Sequence, residues 1–104
     1  MKYILLNNLD SITNIKLKES YKNNNYEIIY DKDNIIILRL GNEIVDEETY
    51  IKITISIVKR ANLNNKVIDL TKAFNYAKEK GIYNKLNNKF DWYIRNIIIK
   101  EKNM

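Results

Sequence analysis

Between Tyr50 and Val58 four isoleucines, Ile51, Ile53, Ile55 and Ile57, alternate with Lys52, Thr54, Ser56 and Val58. A strand sends successive side chains to opposite faces, so this alternation predicts a strand with one apolar face for a core and one mainly polar face. The stretch also divides the chain chemically. Residues 1–58 carry seven Lys or Arg against nine acids, a charge of −2, and read as an acidic, strand-rich half. Residues 59–104 carry 11 against four, a charge of +7, and read as a basic, helical half.

A chain of 104 residues can bury one hydrophobic core but not two, so it is read as a single domain. Lys2 to Asn7 predicts a short strand, apolar on both sides and therefore central. Leu9 to Asn23 admits two readings: Asp10 or Ser11 can cap a helix that uses Ile12, Ile15 and Tyr21, while Ile15 to Lys18 alternates as a strand would. Helix is preferred. Tyr26 to Tyr30 and Ile35 to Leu40 flank Asp31-Lys32-Asp33-Asn34, which predicts a hairpin with a four-residue loop. Glu43 to Glu48 reads as a solvated acidic connection, and Val67 to Leu70 as a short extended piece. Consecutive strands usually pair, so the hairpin and the Tyr50 strand are expected to form a three-stranded meander, the first segment joining at an edge or through a crossover.

The spacing predicts a helix over residues 71–80, with Leu70, Ala73, Phe74 and Ala77 on one face and Gly81 as its left-handed cap, Ile82 packing back on Ala77. Asn88 resembles the cap of a second helix in which Phe90, Tyr93, Ile94, Ile97 and Ile98 follow amphipathic spacing, Phe74, Phe90 and Ile94 reading as core, and which ends before a frayed tail from Glu101. The expected fold class is therefore α+β: a small antiparallel sheet of three to five strands, with two C-terminal helices packed on it.

The chain has no His and no Cys, which removes Ser-His and Cys-His nucleophile pairs, imidazole-bound metals and thiolate zinc sites. Gly41 and Gly81 stand alone, so no phosphate-binding glycine loop can be assembled. Asp31 and Asp33 open like a calcium loop, but Ile35, Ile36 and Asn42 occupy positions that need an oxygen ligand, a glycine and a glutamate. A structural turn is the better reading. No enzyme and no cofactor are expected; a His-free ribonuclease toxin is the enzymatic alternative. Without an apolar run of about 20 residues or a signal-like N-terminus, the expectation is a soluble cytoplasmic protein that does not bind membranes. The abundant Asn, Ile, Lys and Tyr follow from AT-rich codons, and the Asn clusters are not read as recognition motifs.

What stands out is cations interleaved with aromatics in the basic half. Lys59, Arg60, Lys72, Lys78, Lys80, Lys85, Lys89 and Arg95 accompany Tyr76, Tyr83, Trp92 and Tyr93. Lysine and arginine can neutralise phosphates, and aromatics can stack on bases or pack a core. Trp92 and Tyr93 cannot both lie on the buried stripe of a helix, so one of them is a candidate exposed anchor.

Val67-Ile68-Asp69-Leu70, a helix, then Phe90-Asp91-Trp92-Tyr93-Ile94 resembles phage antirepressor domains of the AntA or Bro-N kind, in which a Val/Ile-Asp-Ala start and a closing Phe-x-x-Trp-Ile pattern recur. The likeness covers residues 66–98; the family's Arg-x-Leu-His-like segment is absent from Asp69 to Phe74, and Tyr93 stands where its Trp would be. It implies a phage or mobile-element protein that binds DNA or a repressor. Two functions are thus expected in order: a non-enzymatic module that binds nucleic acid through its basic C-terminal helices, or a protein-binding inhibitor, such as an anti-CRISPR-like anti-defence protein, that blocks a host nucleic-acid-handling enzyme. The oligomeric state stays open, a homodimer included.

Overall fold

The computed structural model describes residues 1–81 and 89–103. Four strands and four helices follow one another as β1 (Lys2–Asn7), α1 (Ser11–Asn23), β2 (Glu27–Lys32), β3 (Ile35–Leu40), α2 (Glu47–Ala61), β4 (Lys66–Asp69), α3 (Thr71–Lys80) and α4 (Phe90–Lys102). The chain has an α+β fold. Its sheet is antiparallel throughout in the order β2-β3-β1-β4, with Ile4 opposite both Leu38 and Asp69. Every residue from Tyr3 to Asn7 is buried, as the two-sided apolar run requires of an interior strand.

The sheet separates two apolar layers. Tyr3, Leu5, Ile35, Ile37 and Ile68 face a core shared with α2, α3 and α4, whereas Ile4, Leu6, Ile36 and Leu38 face Leu17 and Tyr21 of α1. The α1 layer is thin: α1 buries no residue fully, and Ile12 and Ile15 lie open on it. This helix owes its start to Asp10, whose carboxylate accepts from the Thr13 amide at 2.9 Å and the Thr13 hydroxyl at 2.8 Å. Those two bonds hold the Asp10 carboxyl below its usual range.

The Tyr50–Val58 stretch is helical, so the third strand expected there does not form and the run of consecutive paired strands ends after two. At about 3.6 residues per turn, Glu47, Tyr50, Ile51, Thr54, Ile55, Ile57 and Val58 fall on one broad face, and these are the residues α2 buries. Ile53 sits at its flank, partly buried. The ends of α2 suit a helix: Glu47 and Glu48 occupy the first turn, Lys59 and Arg60 the last, and Asn62 caps in a left-handed conformation (φ 53°). Thr54 returns its hydroxyl to the Tyr50 carbonyl at 2.8 Å, which lets a β-branched polar residue sit in the helix interior.

Glu47 also overturns the reading of Glu43–Glu48 as a solvated loop. Its side chain is buried where α2 meets the sheet, accepting from the Tyr3 hydroxyl at 2.6 Å and from Arg39 Nη1 at 2.7 Å. Arg39 reaches on to Glu27 at 3.1 Å and to the Gly41 carbonyl at 2.9 Å. Tyr3, Arg39 and Glu27 are cross-strand neighbours on β1, β3 and β2, so one row of the sheet carries a phenol, a guanidinium and a carboxylate, with the Glu47 carboxylate set above it. Tyr3 in turn stacks on Phe74 at 4.1 Å, and Phe74 meets Phe90 edge-on at 5.2 Å. Polar and aromatic contacts thereby join the sheet to three helices.

The hairpin loop is shorter than expected. Asp31 and Lys32 belong to β2, and Asp33 and Asn34 alone turn the chain, both with positive φ (56° and 59°), as a two-residue type I′ turn demands. Helix α3 spans the expected residues, and Gly81 at φ 73° donates its amide to the Ala77 carbonyl at 2.9 Å. The expected contacts of Ile82 and the cap at Asn88 lie outside the described residues. Helix α4 runs through Glu101 to Lys102, two residues into the expected tail.

Replacing Glu47 by Ala leaves the Arg39 guanidinium (7% exposed) without its closest counter-charge and should cost about 3–5 kcal/mol in urea unfolding. Lys52→Ala, which breaks an exposed pair with Glu48 at 3.5 Å, should change stability by less than about 0.5 kcal/mol. The Tyr3 phenol is pushed far above its ordinary range, first by burial and then by its bond to Glu47. It therefore stays protonated in the folded protein while the unfolded chain releases the proton near pH 10. Stability should be unaffected by this group below that pH and fall above it; Tyr3→Phe should flatten that alkaline decline in a pH series of unfolding midpoints.

Candidate functional site

Helix α4 organises the candidate surfaces because it buries a narrow stripe and leaves two flanks. Phe90, Ile94 and Ile98, spaced by four, form the buried stripe. Trp92, Asn96 and Lys100 follow the same spacing on the flank toward α3, and Asp91, Arg95 and Lys102 lie on the flank toward α2.

On the α3 side the exposed anchor is Trp92, 56% accessible, while Tyr93 packs against the core. The two rings meet edge-on at 5.2 Å, and Tyr93 continues to Tyr76 at 5.0 Å. Lys72 Nζ lies 5.9 Å above the Tyr93 ring, a cation–π placement that holds a flexible ammonium at the edge of the aromatic row. The Tyr76 hydroxyl accepts the Lys89 amide at 3.1 Å, fixing the entry of α4 against α3. Asn96 donates to the Trp92 carbonyl at 2.8 Å. Together Lys72, Trp92, Tyr93, Asn96 and Lys100 line a shallow concavity of about 280 Å³. Among the described residues no carboxylate pairs with Lys72 or Lys100.

On the α2 side Arg60 and Arg95 face one groove of about 500 Å³ that runs into a second of about 280 Å³. Neither arginine has an ion-pair partner among the described residues. Here Lys52 and Lys102, absent from the sequence-based set, join the two arginines; the missing signal was the packing of α2 beside α4, which sets Lys52 and Arg60 across a groove from Arg95 and Lys102.

The remaining predicted contacts do not converge. Lys59 is held by Asp33 of the hairpin turn at 2.9 Å; the hydrogen bond, then the charge, draws the Asp33 carboxyl below and the Lys59 ammonium above their usual ranges. Lys78 borders a separate cavity with Met1 and Gly41, on the other flank of α3. Lys80 and Lys89 are exposed at helix ends, and Lys85 lies outside the described residues. Phe74, Phe90 and Ile94 are core, as expected. Asp31 and Asp33 are engaged by Lys18 and Lys59, and no group of three or more acidic side chains among the described residues could hold a metal ion. No helix among them is long and apolar enough to cross a membrane. Compared with known proteins, the chain matches no family model, no curated protein and no solved structure.

Proposed function

We propose that this chain is a small, non-enzymatic module of the phage or mobile-element kind that binds single-stranded nucleic acid across the α3–α4 face. The observation that carries this reading is the exposed Trp92 indole sharing one concavity with Lys72 and Lys100. Stacking a base on an aromatic ring contributes about 1–3 kcal/mol and is tolerant of sequence. The two ammonium groups can meet the phosphates on either side of a stacked base. A duplex keeps its bases stacked on each other and offers the indole no free ring face, which is why single strands fit this surface better. The likeness of residues 66–98 to antirepressor domains implies DNA or a repressor as the partner, of which DNA agrees with this face. The second expectation, a protein-binding inhibitor of a host enzyme, is favoured by the apolar floor between α2 and α4 rather than by this face.

Trp92 is the single tryptophan, so its emission reports on the site directly. Titration with 12-nucleotide single-stranded DNA and RNA should quench it, and binding should weaken between 50 and 200 mM salt. Trp92→Ala, read by polarisation of a labelled oligonucleotide because the variant has no indole emission, should cost about 1–3 kcal/mol of affinity, and Lys72→Gln with Lys100→Gln should reduce the salt slope by about 1.4. Absence of binding at low salt, or full affinity in Trp92→Ala, rejects the proposal.

A further inference from the structure

The groove between α2 and α4 differs in chemistry from the α3–α4 face. Lys52, Ser56 and Arg60 recur every four residues along its α2 wall, with Ile53 and Ile57 one position further in. Asp91, Arg95 and Lys102 mark the α4 wall, and the floor continues over Ile98 to Ile99, which is 55% exposed. The two helices run side by side in the same sense, since Lys52 lines the groove with Asp91 and Ala61 lines it with Lys102. From Lys52 to Arg60 the α2 wall measures about 12 Å, and from Asp91 to Lys102 the α4 wall about 16 Å. That is room for about three helical turns.

We infer that this groove holds an acidic amphipathic helix of a partner protein. The inference names a partner class for the second functional reading and stands whether or not the α3–α4 face binds nucleic acid. Three features select the occupant. Both walls are helices whose backbone groups are bonded internally, so they offer nothing to an extended chain; the occupant must satisfy its own backbone, as a helix does. Among the described residues the rim carries four cations and Asp91, with Lys52 shared with Glu48 at 3.5 Å, and the planar forks of Arg60 and Arg95, free of ion pairs among those residues, suit carboxylates in bidentate contact. The floor of isoleucines gains only from apolar side chains, and Phe90, the one aromatic among the described residues that line the groove, is buried and gives a base nothing to stack on. A second copy is a poor occupant: the open apolar face of α1, Ile12 and Ile15, is accompanied by one acid, Glu19, and by Lys16, Lys18 and Lys22.

The test is selection of a 16-residue random peptide library on the full chain, followed by polarisation measurements with the selected peptides. Enrichment of Asp and Glu beside Leu, Ile or Phe at positions i, i+3, i+4 and i+7 is expected, with peptide helicity rising on binding. Arg60→Gln with Arg95→Gln should weaken the selected peptides about thirtyfold, and the exposed change Ile99→Ser about fivefold, while quenching of Trp92 by single-stranded DNA is unchanged. Trp92→Ala should keep the selected peptides at full affinity and weaken a labelled single-stranded DNA read by polarisation. Enrichment of basic or uncharged peptides, or equal binding to the double arginine variant, overturns the inference. So does sedimentation showing a dimer that this variant dissociates, since the occupant would then be a second copy. Loss of DNA binding alone would count against the α3–α4 reading and leave the groove standing.

Discussion

Two opposite charges are sunk where α2 meets the sheet, and each is tolerable only because of the other. Arg39 and Glu47 are both nearly sealed from water, and burying either alone would cost several kcal/mol. The pair is completed by the Tyr3 hydroxyl, the Glu27 carboxylate and the Gly41 carbonyl. Its directional bonds do what the isoleucine contacts cannot: they define which turn of α2 sits over which row of the sheet. Aliphatic side chains would pack almost as well one turn further along. With Glu47 pinned, the angular position of every later residue of α2 is set, including the side to which Lys52, Ser56 and Arg60 point.

The same junction explains why the candidate surfaces lie where they do. Tyr3 presses on Phe74 and Phe74 on Phe90, so the start of α4 is located from the sheet through two rings. Once Phe90, Ile94 and Ile98 are buried, the remaining positions of α4 are divided between two flanks of different character: aromatic and cationic toward α3, aliphatic and arginine-lined toward α2. One short helix therefore separates two surfaces that suit different chemistries.

Much of this was legible in local chemistry. The hairpin, the Asp10 cap of α1, the span of α3 and three of the four residues of β4, which runs over Lys66–Asp69 where Val67 to Leu70 was expected, each rest on signals a few residues apart. Helix α2 was hidden by the alternation of isoleucines, because positions 51, 55 and 58 satisfy a helix while 51, 53, 55 and 57 satisfy a strand. The deciding signals lay at its ends: two glutamates before, Lys59 and Arg60 after, then an asparagine. Asparagine carries more in this chain than codon bias suggests. The described residues with positive φ other than glycine are Asn8, Asn25, Asp33, Asn34, Asp46, Asn62 and Asn65, so with two glycines and no proline the turns are made by side chains that tolerate the left-handed region. Arg60, Lys72, Trp92 and Arg95 stood out in the sequence, but which of them share a surface could not be read in advance, since Lys72 and Trp92 are distant in sequence, and the withdrawal of Lys59 by Asp33 depends on the hairpin tip reaching α2.

The interior position of β1 also bears on how the protein comes into being. Its pairing partners are β3 and β4, the latter roughly sixty residues later in the chain. At a synthesis rate of about 5–20 residues per second, a strand apolar on both faces waits about 3–12 s before its last neighbour exists. During that interval Tyr3 to Leu6 is the segment most exposed to pairing with another nascent chain. The hairpin β2–β3, which closes locally and can cover one edge of β1 early, is then the element that shelters it on the way out of the ribosome.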